Sequence, residues 1–289
     1  MIPKKVLEKK FLDFVKDDVG QGDLTTLIAV PYGTIVEAKI LAKEHGIIAG
    51  IEETLMFLES FGLQASPLLA DGSRVKPKEV ILRIDGDART LLSIERTMLN
   101  LLSRMSGIAT ATSSLVKKTR QAGYRTRVAC TRKVAPGLSY FDKKAVMIGG
   151  GDTHRLHLDD MILIKDNHLA IIEDIKTAVK RARKAVSFSK KIEVEVSTIE
   201  EALEAVETGA DIVMLDNFTP KQVKNTMELM MKKGLRNTAL VESSGGITEQ
   251  NILEFAAAGV DIISLGEITD SAKALDISLE IVKVKRGKS

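Results

Sequence analysis

The spacing of apolar residues changes character along this chain. Residues 1–18 set lysines around short apolar groups, a spacing that predicts an amphipathic helix. Residues 19–34, with the turn-rich GDLTT at 22–26, read as a loop. The first half of TIVEAKILAKEHGIIAG alternates apolar and polar, as a half-buried strand does. Ile51 to Phe61 predict a short helix stopped by Gly62, and Val80 to Ile84 a further strand. These pieces make a small α+β unit. From Ala88 to about Gln121 the pattern is helical, with Leu91, Leu92, Ile94, Met98, Leu99, Leu101 and Leu102 at helical spacings and Gly107 expected to interrupt the run.

Beyond that helix, short β-rich runs alternate with helical patterns. The strand candidates are 127–130, 160–164, 191–196, 211–215, 238–242 and 260–265, with helices near 198–208, 220–233 and 248–258. Such alternation implies right-handed βαβ units and a parallel sheet. Each run is followed by polar or glycine residues, the arrangement of a barrel with one working rim at the C-terminal ends of its strands.

Composition narrows the picture modestly. The 289 residues allow one large domain or two ordinary ones. The 44% hydrophobic and 28% charged residues have a globular balance, and a net charge of +3 is too small to suggest nucleic acid or membrane binding. No stretch is apolar for the roughly 18 residues a membrane helix needs. A single cysteine, Cys130, excludes an intrachain disulfide, fits a cytoplasmic location, and reads as packed core at a strand end. His45 and His157 read as structural or exposed, and Met227, Met230 and Met231 as helix packing.

The chemistry lies at the strand ends. Arg132 and Lys133 follow one strand and Lys165 the next, with His154 and Arg155 between them after a glycine run. One such cation is ordinarily a solvated charge, but a set at successive strand ends suits a ligand with several carboxylates or phosphates. Glu195 and Asp216 end neighbouring strands, where they could hold Mg²⁺ bridging a pyrophosphate, hydrogen-bond ribose hydroxyls, serve as an acid–base pair, or pair with nearby lysines. Ser243-Ser244-Gly245-Gly246 follows a strand and is expected to open a helix, and Gly266 ends the next strand; both suit phosphate binding. No zinc spacing exists among the four histidines and one cysteine.

Taken together, GDLTT at 22–26, ERTMLNLLSRMSGIAT at 95–110, TRKVAPGL at 131–138, GGGDTHRLHLDDMILIKDNH at 149–168, EVEVST at 193–198, MLDNF at 214–218, SSGGI at 243–247 and SLGEIT at 264–269 resemble the quinolinate phosphoribosyltransferases, in family order over nearly the whole chain. The resemblance implies an N-terminal α/β sandwich (1–110, including the long helix), an incomplete α/β barrel (111–270), and a C-terminal segment (271–289) packing back on the first domain. It implies transfer of phosphoribosyl from phosphoribosyl pyrophosphate to quinolinate, with decarboxylation to nicotinate mononucleotide, in NAD biosynthesis. Carried over by motif, Arg132, Lys133, His154, Arg155 and Lys165 hold quinolinate. Lys133, Glu195 and Asp216 are the catalytic set, the two acids serving the ribose and Mg²⁺, directly or through pyrophosphate and water. Ser244, Gly245, Gly246 and Gly266 bind the ribose phosphate. The resemblance also implies a homodimer in which Arg96 reaches the partner's site. Arg96 lies inside the apolar run, so burial there would require a partner or an anion.

Three positions depart from the family pattern: Val134 for threonine, Lys144 for an aromatic, and Asp270 for histidine. The last bears on phosphate binding. Three rival readings stay open at this level: a nicotinate phosphoribosyltransferase or related molybdenum-associated protein, a barrel lyase or aldolase using Lys165 or Lys133 as a Schiff base, and a non-catalytic sensor of phosphate ligands. The second carboxylate of quinolinate favours it as the match for the cation cluster.

Overall fold

The structure, a computed structural model, describes residues 2–172 and 174–285. The chain divides into two compact units, Met1–Ala111 with Ala272–Ser289, and Thr112–Ser271.

In the first unit, α1 (Lys4–Val19) buries Leu7 and Phe11, and α2 (Leu24–Ala29) follows it. The segment expected as loop therefore contains a helical turn, because Asp23 accepts a hydrogen bond from Thr26 N at 3.0 Å and caps it. Next come β1 (Ile35–Ala42), β2 (Gly46–Ile47), α3 (Ile51–Ser60), β3 (Gln64–Pro67), β4 (Arg74–Val75) and β5 (Val80–Asp87). Alternation in β1 buries Val36, Ala38 and Ile40, and the Phe11 and Phe57 rings meet edge-on at 5.1 Å. The long helix α4 (Ala88–Gln121) starts in this unit and is unbroken over 34 residues. Gly107 does not interrupt it. A Cβ there would stand 2.1 Å from the Lys273 carbonyl oxygen, so the missing side chain admits the returning chain.

The second unit carries β6 (Arg127–Cys130), α5 (Ser139–Ile148), β7 (Ile162–Ile164), α6 (Asp166–Ile172), α7 (Ile175–Ala185), β8 (Ile192–Val196), α8 (Ile199–Thr208), β9 (Ile212–Asp216), α9 (Pro220–Lys232), β10 (Leu240–Ser244), α10 (Ile252–Ala257), β11 (Ile262–Leu265) and α11 (Glu267–Asp270). Its six strands are parallel in the order β6-β11-β10-β9-β8-β7. The order follows a barrel round, but β6 and β7 remain its two ends, so the α/β barrel is incomplete. Capping boxes start α8 (Thr198 with Glu201) and α9 (Thr219 with Gln222). Met227 and Met230 are buried as expected, whereas Met231 faces outward, one residue and about 100° further round α9. Cys130 is fully buried, and His45 and His157 are exposed.

The chain then returns to the first unit as β12 (Ile277–Lys285), which pairs antiparallel with β1 and completes the sheet β12-β1-β5-β3. The end of the predicted C-terminal segment, 286–289, lies outside the described residues.

Candidate active site

Strand geometry supplies the site. Side chains two residues apart share a face, so each strand sends a pair into the barrel: Leu163 and Lys165, Glu193 and Glu195, Met214 and Asp216, Glu242 and Ser244. The second of each pair lies at the C-terminal rim. There a cavity of about 690 Å³ opens, lined by Arg132, Lys133, His154, Arg155, Lys165, Glu195, Asp216, Ser244, Gly245, Gly246 and Gly266. These are all of the expected site residues that belong to the second unit. Arg96 lies on α4 in the first unit and is exposed: the apolar positions around it face other sides of the helix, so it is not a buried charge.

Cations and carboxylates divide the rim. Arg132 follows β6 after Thr131. Arg155 arrives on the segment from Gly151, where Asp152 N donates to Val128 O and Cys130 N to Asp152 O, laying the chain along β6's free edge. Burial and the neighbouring charge of Arg132 lower the Arg155 pKa. Lys165 ion-pairs with Glu195, whose side chain is only 12% exposed. Asp216, at the tip of β9, accepts from Asn217 Nδ2 at 2.7 Å.

After β10, Ser244-Gly245-Gly246 forms a loop held by Asn251, whose Nδ2 donates to Gly246 O at 3.0 Å. Gly245 has φ +85°, and a Cβ there would stand 2.3 Å from Asn217 Oδ1. The site needs glycine for both reasons. This loop does not open directly onto a helix as expected, since α10 begins only at Ile252. Its anion-binding capacity is that of its own backbone N–H groups. Gly266 is flanked by Lys133 and by Asp270, one of the departures from the family pattern.

Sequence reasoning missed a second layer beneath the rim. His154, at φ +51°, directs Nε2 toward Glu193 Oε2 and Glu242 Oε2, each 3.3 Å away, and both carboxylates are fully buried. Burial opposes a charge on His154, and the two carboxylates act the other way, favouring a proton on Nε2. The backbone N–H of Arg155, however, donates to Nδ1 at 2.8 Å. A second ring proton would collide with that N–H, so the ring is neutral, with its one proton on Nε2. Burial first, and the Glu242 charge after it, raise the Glu193 pKa. The signal for Glu193 was available: in IEVEV it alternates with Glu195 and must share its inward face. Lys143, 1% exposed and hydrogen-bonded to Thr153 O and Arg155 O, had no such signal.

Both units have counterparts among known proteins. The profile of the quinolinate phosphoribosyl transferase N-terminal domain matches residues 23–106, and that of the C-terminal domain residues 108–280. A probable nicotinate-nucleotide pyrophosphorylase (carboxylating) of Methanothermobacter thermautotrophicus is 47% identical over 273 residues, covering 94% of this chain and 98% of the relative. The human nicotinate-nucleotide pyrophosphorylase (carboxylating) is 38% identical over 245 residues, covering 85% and 82%. The solved structure of the Francisella tularensis nicotinate-nucleotide pyrophosphorylase has a TM-score of 0.88 at 34% identity, covering 97% of this chain and 98% of that one. With both domains matched in order, and relatives of this identity over most of its length, the chain belongs to the quinolinate phosphoribosyltransferase family.

Proposed function

We propose that this chain is a carboxylating nicotinate-nucleotide pyrophosphorylase, joining quinolinate to phosphoribosyl pyrophosphate with release of pyrophosphate and carbon dioxide in NAD biosynthesis. One observation carries the reading: a cation cluster, a glycine loop and two carboxylates line one cavity at the barrel rim. Arg132 and Arg155 suit the two carboxylates of quinolinate by paired hydrogen bonds, with Lys133 and Lys165 as point charges and His154 beneath. Ser244, Gly245, Gly246 and Gly266 take the 5′-phosphate, and Glu195 and Asp216 face the ribose.

The chemistry follows from charge. The pyridine nitrogen attacks the anomeric carbon as pyrophosphate departs. Glu195 and Asp216 favour the oxocarbenium-like centre between them, and Lys133 offsets developing negative charge. The carboxylate beside the ring nitrogen then leaves as carbon dioxide; the electron pair of the broken C–C bond stays on the ring carbon, stabilised by the adjacent positive nitrogen, and takes a proton from water.

Glu195 and Asp216 also fit Mg²⁺. They offer hard oxygen donors, and among the described residues no third ligating side chain closes a cage round them, as suits an ion that keeps waters and binds substrate phosphates. When bound, the ion neutralises the pyrophosphate leaving group. A homodimer completed by Arg96 of the opposite subunit and a cytoplasmic location belong to the same reading. In support of the second, Cys130 is free and no described helix is long and apolar enough to cross a membrane.

The test is turnover. Purified protein given quinolinate, phosphoribosyl pyrophosphate and Mg²⁺ should form nicotinate mononucleotide and carbon dioxide, with nicotinate a far poorer acceptor and excess chelator abolishing the reaction. Preference for nicotinate would refute the substrate assignment, and full activity in chelator would refute the metal.

A further inference from the structure

The turn Thr153–Arg155 is gripped from two sides by buried charged groups that no step above uses. From one side Lys143 donates to the carbonyls of Thr153 and Arg155, the latter at 2.9 Å. From the other, Glu193 and Glu242 face Nε2 of His154. Glu242 is itself fixed, since its Oε1 accepts from Ser264 Oγ at 2.5 Å. The remaining oxygens, Glu193 Oε1, Glu193 Oε2 and Glu242 Oε2, have no other hydrogen-bond partner among the described residues. Isolated buried carboxylates are costly, so their retention needs a reason.

A metal ion is the first candidate, because the three ligand atoms lie within 4.8 Å of one another. The Nδ1 geometry argues against it. A metal-bound imidazole carries its proton on Nδ1, and here that nitrogen already accepts the Arg155 N–H at 2.8 Å. The ring instead keeps its proton on Nε2, shared between the two carboxylates.

We propose that Glu193 and Glu242 are positioning residues for the quinolinate site, holding the His154 ring so that the Arg155 guanidinium projects into the cavity beside Arg132. This rests on the assignment of those arginines to quinolinate. Two like charges converging in one cavity repel each other and would splay apart on a loose turn. His154 also occupies a left-handed backbone conformation, φ +51°, which needs tertiary support. The carboxylates supply that support without pairing with the guanidinium, leaving it free for substrate. Lys143 completes the grip from the opposite side.

Steady-state kinetics of Glu242→Gln test this. The substitution keeps the side-chain volume and an acceptor for Ser264, and removes the anionic oxygen facing His154. The KM for quinolinate should rise about tenfold while that for phosphoribosyl pyrophosphate stays within about twofold and Tm barely moves. Ser264→Ala, which removes the hydrogen bond that fixes Glu242, should raise the quinolinate KM by a smaller factor. Lys143→Met, releasing the turn from its other side, should raise the same KM selectively. An unchanged quinolinate KM in Glu242→Gln would overturn the proposal, as would equal losses for both substrates. So would stoichiometric zinc in the purified protein whose removal reproduces the defect. Wild-type protein that fails to turn over quinolinate would instead sink the site assignment on which the proposal rests.

Discussion

Arg132 and Arg155 face one cavity, and among the described residues neither forms an ion pair with a carboxylate. Burial and the proximity of Arg132 lower the Arg155 pKa, so the pair stores a repulsion that a dicarboxylate would relieve. Arg132→Ala should therefore weaken quinolinate by about 100-fold or more, the worth of a desolvated bidentate contact, with the fold intact. Isothermal titration showing unchanged affinity would reject the assignment. At this scale the rim was legible because each residue follows a strand in the sequence. The layer beneath was not. Nothing in the sequence singles out Glu242 or Lys143, and only tertiary packing buries them.

Elements were legible where the period was long or the apolar run compact. β6 spans the expected 127–130, and the other barrel strands lie within a residue or two of their runs. The failures have physical causes. Gly107 looked like a break because interior glycine lowers helix propensity by about 1 kcal/mol relative to alanine, a cost the long ladder of α4 absorbs. Gly107→Ala should thus lower stability despite its better propensity, since the new methyl meets backbone at Lys273. A higher Tm in that variant would contradict this account. At α2, hydrogen bonds from Thr26 hold the Asp23 carboxyl below its ordinary range. Its stabilising contribution is present above the model-peptide value of 3.8 and is lost as pH falls through the lower folded value. Asp23→Asn keeps the cap without the titration, so its Tm should fall less than that of wild type on acidification below about pH 4. Parallel profiles would show that the cap does not titrate.

For the whole molecule, a barrel site and a separate exposed arginine raise the question of assembly. Arg96 belongs to the first unit and the cavity to the second, and the proposed dimer brings Arg96 to the partner's cavity. Arg96→Ala and Lys133→Ala should each be inactive alone. Mixed and allowed to exchange subunits, half of the dimers would carry one intact site of two, restoring roughly a quarter of wild-type activity. No recovery after verified exchange would show that Arg96 serves its own chain's site or none. The two-unit architecture was partly legible, as the change from α+β to strand–helix alternation, and the family resemblance implied that 271–289 packs back on the first domain, but not that it does so as the strand β12. Its alternating ISLEIVKVK lies beyond the last family motif, and its partner β1 is more than 200 residues away in the chain.

That pairing sets a timetable for synthesis. At about 5–20 residues per second, roughly 12–50 s separate the emergence of Ile35 from that of Lys285, its partner in the finished sheet. Throughout that interval β1 offers an open edge, of the kind that pairs with other chains. The barrel unit, Thr112–Ser271, is contiguous and can fold while its neighbour waits. The N-terminal sheet thus becomes the last part of the nascent protein to mature, although most of it is made first. Chains cut short before Ile277 should therefore retain a protease-resistant fragment spanning about 112–271, while residues 1–111 are digested or aggregate. Limited proteolysis with mass spectrometry of a chain ending at residue 271 reads this directly, and a protected N-terminal fragment would show that the sheet closes without its final strand.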